Sequence, residues 1–208
     1  MVVTEVRDEV AAERRELAAV LGDLPPGSWQ MPSLCAGWRV REVVAHITMP
    51  FRYSAAKFMA ELVRSGGRFN RMADRCARRD ARAEIGELLG ALRDNERHPW
   101  TPPGAGFEAA LTHDVIHGLD ITTALGIDRE IPVNRLRLVL DTITAPRSLQ
   151  HFGVDLDGIE LRADDADWSY GSGEVIAGRA QDLALVLCAR KLPAGKLRGS
   201  PSAAYAAR

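Results

Sequence analysis

The chain has 208 residues, with 27 Lys and Arg against 28 Asp and Glu and a formal net charge of -1. That balance gives no long-range pull toward nucleic acid or an anionic membrane. A content of 46% hydrophobic and 26% charged residues excludes a disordered chain and fits a globular one.

Residues 4–22 form the first predicted helix, because Val6, Val10, Ala11, Leu17, Val20 and Leu21 recur at helical spacing. The run Leu24-Pro25-Pro26-Gly27 ends it, and a loop with Trp29, Cys35 and Gly37 follows. A second helix is expected from Arg39 to about Arg64, closed by Gly66-Gly67. Pro50 should kink it, since proline lacks the N–H that would bond the carbonyl of His46. Residues 69–97 read as a third helical segment broken near Arg79-Asp80. Its arginines, Arg71, Arg75, Arg78, Arg79 and Arg82, are mixed with Asp74, Asp80 and Glu84, so they read as a solvated face. After a loop over 98–104, a fourth helix covers about 106–125 and stops at Gly126. A fifth runs from Pro132 to about Gln150.

The texture then changes. Ile159-Glu160-Leu161-Arg162 alternates like a strand, and short strands are predicted at 168–170 and 174–176 around Gly171-Ser172-Gly173. Residues 178–191 return to helix, and the last ten are expected to fray. The organisation read from the sequence is a helical domain over 1–150 and a small α/β domain over 151–208. No apolar run approaches the ~18 residues of a membrane span. Cys35, Cys76 and Cys188 stand far apart with no C-x-x-C pair. The compartment expected is therefore reducing and cytoplasmic, with no disulfide framework.

The fourth helix carries His113-Asp114-Val115-Ile116-His117. Histidines at i and i+4 lie about 40° apart on one face and can reach one metal ion. His46 is the one histidine of the second helix, on a face shared with Glu42, Val43, Met49, Tyr53 and Lys57. His46, His113 and His117 together make three nitrogen ligands with an open position, the pattern of a catalytic rather than a structural zinc site. Nitrogen ligands suit zinc, nickel, cobalt and iron alike. H-D-x-x-H differs from the metalloprotease H-E-x-x-H by a shorter acid, and the usual third ligand downstream is not evident. Cys35 reads as a buried structural cysteine rather than a nucleophile.

Two segments carry a family resemblance. Leu34-Cys35-Ala36-Gly37-Trp38-Arg39-Val40-Arg41-Glu42-Val43-Val44-Ala45-His46 resembles the C-x-G-W-T-V-R-D/E-V-V-A-H segment of the mycothiol-dependent maleylpyruvate isomerase family, within the DinB/YfiT-like metal-binding superfamily. His113 to His117, then Gly118-Leu119-Asp120-Ile121 and Ala124-Leu125-Gly126, is similar to its second signature. The tail matches at Asp165 to Trp168, Gly171, Gly173, Gly178 and Leu183 to Arg190. The resemblance implies a mainly α chain: a DinB-like four-helix bundle followed by a small α/β C-terminal domain, with the metal held by His46, His113 and His117. Arg39 stands where the family has Thr, which removes one half of a capping box with Glu42, worth about 1 kcal/mol.

The function expected is a metal-dependent enzyme that uses a mycothiol-like thiol for isomerisation or thiol transfer on a small, electrophilic, acidic substrate. Glu42 and Asp120 are candidates to orient an imidazole. Tyr53 and Lys57 are candidates to contact an acidic substrate, and Arg190 is the basic group of the tail placed to meet a carboxylate. The alternatives are a non-catalytic metal-binding protein (a sensor or sequestering module) and a metal-dependent hydrolase. The partners expected are a small-molecule substrate and a thiol, with no nucleic acid and no membrane. A homodimer is compatible with the sequence.

Overall fold

The structure, a computed structural model, describes residues 3–207. Its elements are mainly helical with a small sheet near the C-terminus. Among the described residues, no helix is long and apolar enough to cross a membrane. The chain divides into two compact units, Met1–His117 and Gly118–Arg208.

In the first unit α1 covers Val3–Gly22, α2 Val40–Arg52, α3 Ala55–Arg64, α4 Phe69–Asp80 and α5 Ile85–Arg93. The first half of α6 (Phe107–Ala124) completes it. The core takes Val6, Val10, Leu17 and Leu21 from α1, Val40, Val43, Val44 and Ile47 from α2, and Leu88 and Leu92 from α5. These apolar residues repeat at three and four, so each helix buries one stripe. α2 touches both α4 and α5, and α5 touches α1. The helix that carries His46 therefore lies among its neighbours, and Val40 and the eight consecutive residues from Glu42 to Met49 are buried.

The start of α2 corrects one expectation. Arg39 was expected to weaken the cap, yet the reciprocal half survives: Glu42 Oε2 accepts the Arg39 backbone N–H at 2.8 Å. The Arg39 guanidinium also donates to the same carboxylate, from Nε at 3.0 Å, so charge replaces the lost hydroxyl. The far end differs too. The helix does not bend at Pro50 and continue; it stops at Tyr53, which is extended (φ -114°, ψ 131°). Ser54 then caps α3 by accepting the Lys57 N–H at 3.2 Å.

In the second unit, α7 (Val133–Thr144) and α8 (Pro146–Phe152) replace the single predicted helix. Pro146 opens a new helix at a first-turn position rather than extending the old one. Strands β1 (Ile159–Ala163), β2 (Ser169–Gly171), β3 (Glu174–Gly178) and β4 (Leu197–Arg198) form a sheet in the order β2-β1-β3-β4. β1 pairs antiparallel with β2 and parallel with β3, and β3 pairs antiparallel with β4. Gly173, at φ +131°, lets β3 begin against β1, because a Cβ there would fall 2.0 Å from the Gly158 carbonyl oxygen. α9 (Ala180–Leu187) packs on β1, β3 and α7. Its buried residues run through Leu183, Ala184, Leu185, Val186 and Leu187. The C-terminal segment expected to fray instead holds a 3-10 turn over Ser200–Tyr205.

Candidate metal centre

α2 and α6 bring the three predicted histidines together. One ring nitrogen from each of His46, His113 and His117 lies within 4.8 Å of the others. Their ring centroids form a near-equilateral triangle: 5.1 Å from His46 to His113, 4.9 Å from His46 to His117 and 4.8 Å from His113 to His117. Between Ala110 and Thr123, α6 is buried at every position except His113 and His117. That pair therefore forms the one stripe of this stretch that opens outward.

These residues fit a divalent metal ion. A tetrahedral ion ~2.0–2.1 Å from each imidazole nitrogen sets those nitrogens about 3.3 Å apart and the ring centres roughly 5 Å apart. His46 Nε2 and His113 Nε2 are 3.2 Å apart. The tautomer of His113 is fixed by its other side. Nδ1 lies 2.8 Å from Asp114 Oδ1, and an ionised carboxylate only accepts, so the proton sits on Nδ1 and Nε2 offers its lone pair.

The orienting carboxylate is thus Asp114. It is almost wholly buried, at 1% exposure, and it also receives Nε of the fully buried Arg14 at 2.7 Å. Burial pushes the Asp114 carboxyl up; the hydrogen bond from His113 and the charge of Arg14 outweigh it and hold it below the usual range. Arg14 Nη1 donates to the carbonyl oxygens of Asn95, Glu96 and His98, the last at 2.8 Å. One guanidinium therefore ties α1 to the loop before α6. In that loop His98 Nδ1 accepts the N–H of Trp100 at 3.2 Å, and the Trp100 ring sits 5.1 Å from His113. Trp38 stands 5.1 Å from His46 and is pinned by its Nε1 to Asp74 at 2.8 Å.

Cys35 is half-buried rather than in the core, with Sγ 3.6 Å from His117 Nδ1. Cys76 and Cys188 are the buried thiols. Burial pushes the Cys188 thiol up to about 12, which leaves it inert.

The other predicted site residues have partners of their own. Glu42 serves the α2 cap, as described above. Burial raises its carboxyl, and the Arg39 hydrogen bonds and charge more than reverse this. Tyr53 donates its hydroxyl to Asp80 Oδ2 at 2.8 Å and accepts from Arg79. The Lys57 ammonium lies 3.8 Å above the Tyr53 ring. In the second unit, Arg190 grips the buried Asp120 in a two-pronged pair, Nε to Oδ1 at 2.8 Å and Nη2 to Oδ2 at 2.9 Å. The carboxylate that Arg190 meets is therefore one of this chain's own.

A small cavity of about 70 Å³ opens beside the histidines. It is lined by His46, His113, Met49, Pro50, Phe58, Phe69, Trp100, Pro102 and Pro103. Below it, Met49 joins Met72 and Cys76 in a buried cluster against which Tyr53, Phe58 and Leu62 pack.

The Tyr53 network carries a pH prediction. Burial pushes Asp80 up, but hydrogen bonds from Tyr53 and Arg79 and the charges of Arg52 and Arg79 hold it below its ordinary value. A lowered folded pKa contributes stability that is complete above the unfolded value, about 3.9, and is lost as pH falls through the folded one. Urea unfolding of the metal-free protein should therefore weaken below about pH 4, and Asp80→Asn should weaken less over the same step. An equal acid loss in both would exclude Asp80 as a source.

Solved structures of the mycothiol-dependent maleylpyruvate isomerase share the fold. A histidine-to-alanine mutant superposes with a TM-score of 0.64 and another structure of that enzyme with 0.55, each at 13% identity over 97% of this chain and 94% of the other. An uncharacterized protein of Mycobacterium tuberculosis, in strains CDC 1551 / Oshkosh and ATCC 25618 / H37Rv, is 23% identical over 88% of this chain and 84% of its own length. The sequence profile of the mycothiol maleylpyruvate isomerase N-terminal domain matches residues 10–122, which include all three histidines. With more than half of its length matched, the chain belongs to the mycothiol maleylpyruvate isomerase N-terminal domain family.

Proposed function

We propose that this protein is an enzyme that binds one divalent metal ion through His46, His113 and His117 and uses a low-molecular-weight thiol, mycothiol or a close analogue, on a small electrophile. The observation that carries the reading is the His113 arrangement: Nδ1 given to Asp114, Nε2 3.2 Å from that of His46, and His117 completing the triangle. Family membership and the mycothiol-dependent isomerases that share the fold support the thiol. When bound, such an ion lowers the pKa of a thiol brought to it, which makes the sulfur nucleophilic at neutral pH.

The thiol gives up its proton, and its sulfur adds to one carbon of an activated C=C bond. The electron pair moves to the activating carbonyl. Rotation and expulsion of the same thiolate return the isomer and the thiol, while reprotonation at carbon leaves a stable thioether. The chain's own part is positional: Asp114 holds the His113 ring and tautomer, and Trp38 and Trp100 wall the rings of His46 and His113. Three nitrogen ligands accept zinc, nickel, cobalt or iron.

The test joins elemental analysis to an assay. The parent should carry about one metal ion per chain after reconstitution, with zinc the first choice. His46→Ala and His117→Ala should carry less than about a tenth of that. With mycothiol present, only the loaded parent should either isomerise an activated alkene or consume the thiol to form a thioether. Metal bound at full occupancy with neither isomerisation nor thiol consumption for any electrophile would favour a binding role. A parent without metal after reconstitution would sink the reading.

A further inference from the structure

The cavity beside the histidines carries a statement about the substrate, resting on the reading that thiol chemistry occurs there. The activated alkenes named by the related isomerases are acids, and an acid needs a cation or a ring of N–H donors at its second carboxylate. Among the described residues, the cavity wall offers neither. Apart from the two imidazoles, its side chains are aromatic, aliphatic or proline: Met49, Phe58, Phe69, Trp100 and three prolines. The tyrosine predicted to meet an acid is held by Asp80 and Arg79, and Lys57 lies over the Tyr53 ring. Away from an ion held by the histidines, a carboxylate buried against such a wall loses its hydration with no partner to replace it. An apolar group placed there is favoured by ~25 cal/mol per Å² of surface removed from water.

We propose that the cavity takes a small apolar substituent of the electrophile, a short alkyl chain or a ring, so that the preferred substrate is a neutral activated alkene rather than a dicarboxylate. A single water needs about 10–15 Å³ of such space; about 70 Å³ therefore accepts several non-hydrogen atoms, and not a whole thiol conjugate. Phe69 is 45% exposed and sits at the first position of α4, which makes it the member of the wall that tolerates replacement best.

The experiment is a fluorescence titration of the protein with two probes, 4-phenylbut-3-en-2-one and maleate, in metal-loaded and metal-stripped forms. The neutral ketone should bind about tenfold or more tightly than maleate in the metal-stripped form, where no ion can take a carboxylate. The emission change should vanish in Trp100→Phe. Phe69→Lys, checked for an unchanged circular dichroism spectrum, should narrow the ratio at least about fivefold by placing a cation at the wall. Maleate binding to the stripped form as tightly as the ketone, or a ketone response that survives Trp100→Phe, would overturn the assignment. The thiol reading fails separately: a chain that prefers the ketone but never joins mycothiol to it keeps the cavity assignment and loses the thiol. A chain that conjugates mycothiol to maleate best keeps the thiol and loses the cavity assignment.

Discussion

Replacing Arg14 with alanine is expected to remove about 3–5 kcal/mol of folding stability, measured by urea unfolding of the metal-free protein. Arg14 and Asp114 are both buried, 2.7 Å apart, and joined across 100 residues of sequence. Truncating the cation leaves the Asp114 carboxylate in a dry site facing the His113 Nδ1–H, and strands three backbone carbonyls of the 95–98 loop. Each such loss alone costs about 1–3 kcal/mol. Removing both partners is a different case. Arg14→Met combined with Asp114→Leu keeps the volume and should recover much of the loss, because two apolar side chains can replace a buried ion pair at little cost. A single-variant loss below about 1 kcal/mol would mean that water reaches Asp114.

The second large effect concerns the metal. Asp114→Asn should weaken metal affinity about 10–100-fold without moving any ligand out of the triangle. The neutral amide still accepts from His113 Nδ1, but it no longer makes the ring a stronger donor. The check is competition against a chelator of known affinity, with cobalt as the reporting ion and its visible bands showing whether the coordination number is kept. If affinity stays within about twofold of the parent, the carboxylate is structural only. Asp114→Asn also leaves the buried Arg14 without its counter-charge and costs stability too. The two roles of the carboxylate are therefore told apart by the metal: Arg14→Ala, which keeps the carboxylate on His113, should lower affinity less than Asp114→Asn does.

The histidine set was legible because two independent patterns agree on it. Helical spacing puts His113 and His117 on one face, and the resemblance around Cys35 to His46 supplies the third ligand. Asp114 was not legible as the orienting group, since neighbours at i and i+1 on a helix do not face each other. The two side chains meet all the same, at 2.8 Å. Arg14 was hidden for another reason. It lies within the buried stripe of α1, where charge is rare, and its partner is in another helix. Tyr53 and Lys57 were placed on the His46 face by counting through Pro50. The chain leaves the helix at Tyr53, so that count has no meaning beyond the proline. Asp120 and Arg190 were each marked, but sequence spacing gives no sign that they would take one another. The fold was read more easily than the site. Long periodic segments such as α1 and α6 came within two residues of their ends, while the break before Pro146 was missed because the apolar spacing runs on past it.

The long span of the Arg14–Asp114 pair also bears on when the centre can exist. During synthesis His46 leaves the ribosome 67 residues before His113. Through that interval the growing chain offers a lone imidazole, a poor trap for any ion. The other two ligands arrive together, four residues apart, on the helix whose Asp114 must dock against α1, the first part of the chain to be made. Closing so long a loop comes late in assembly. On the proposed metal-binding reading, an ion is therefore taken up by an almost complete protein and not by a nascent one, which leaves the choice of ion to a formed cage.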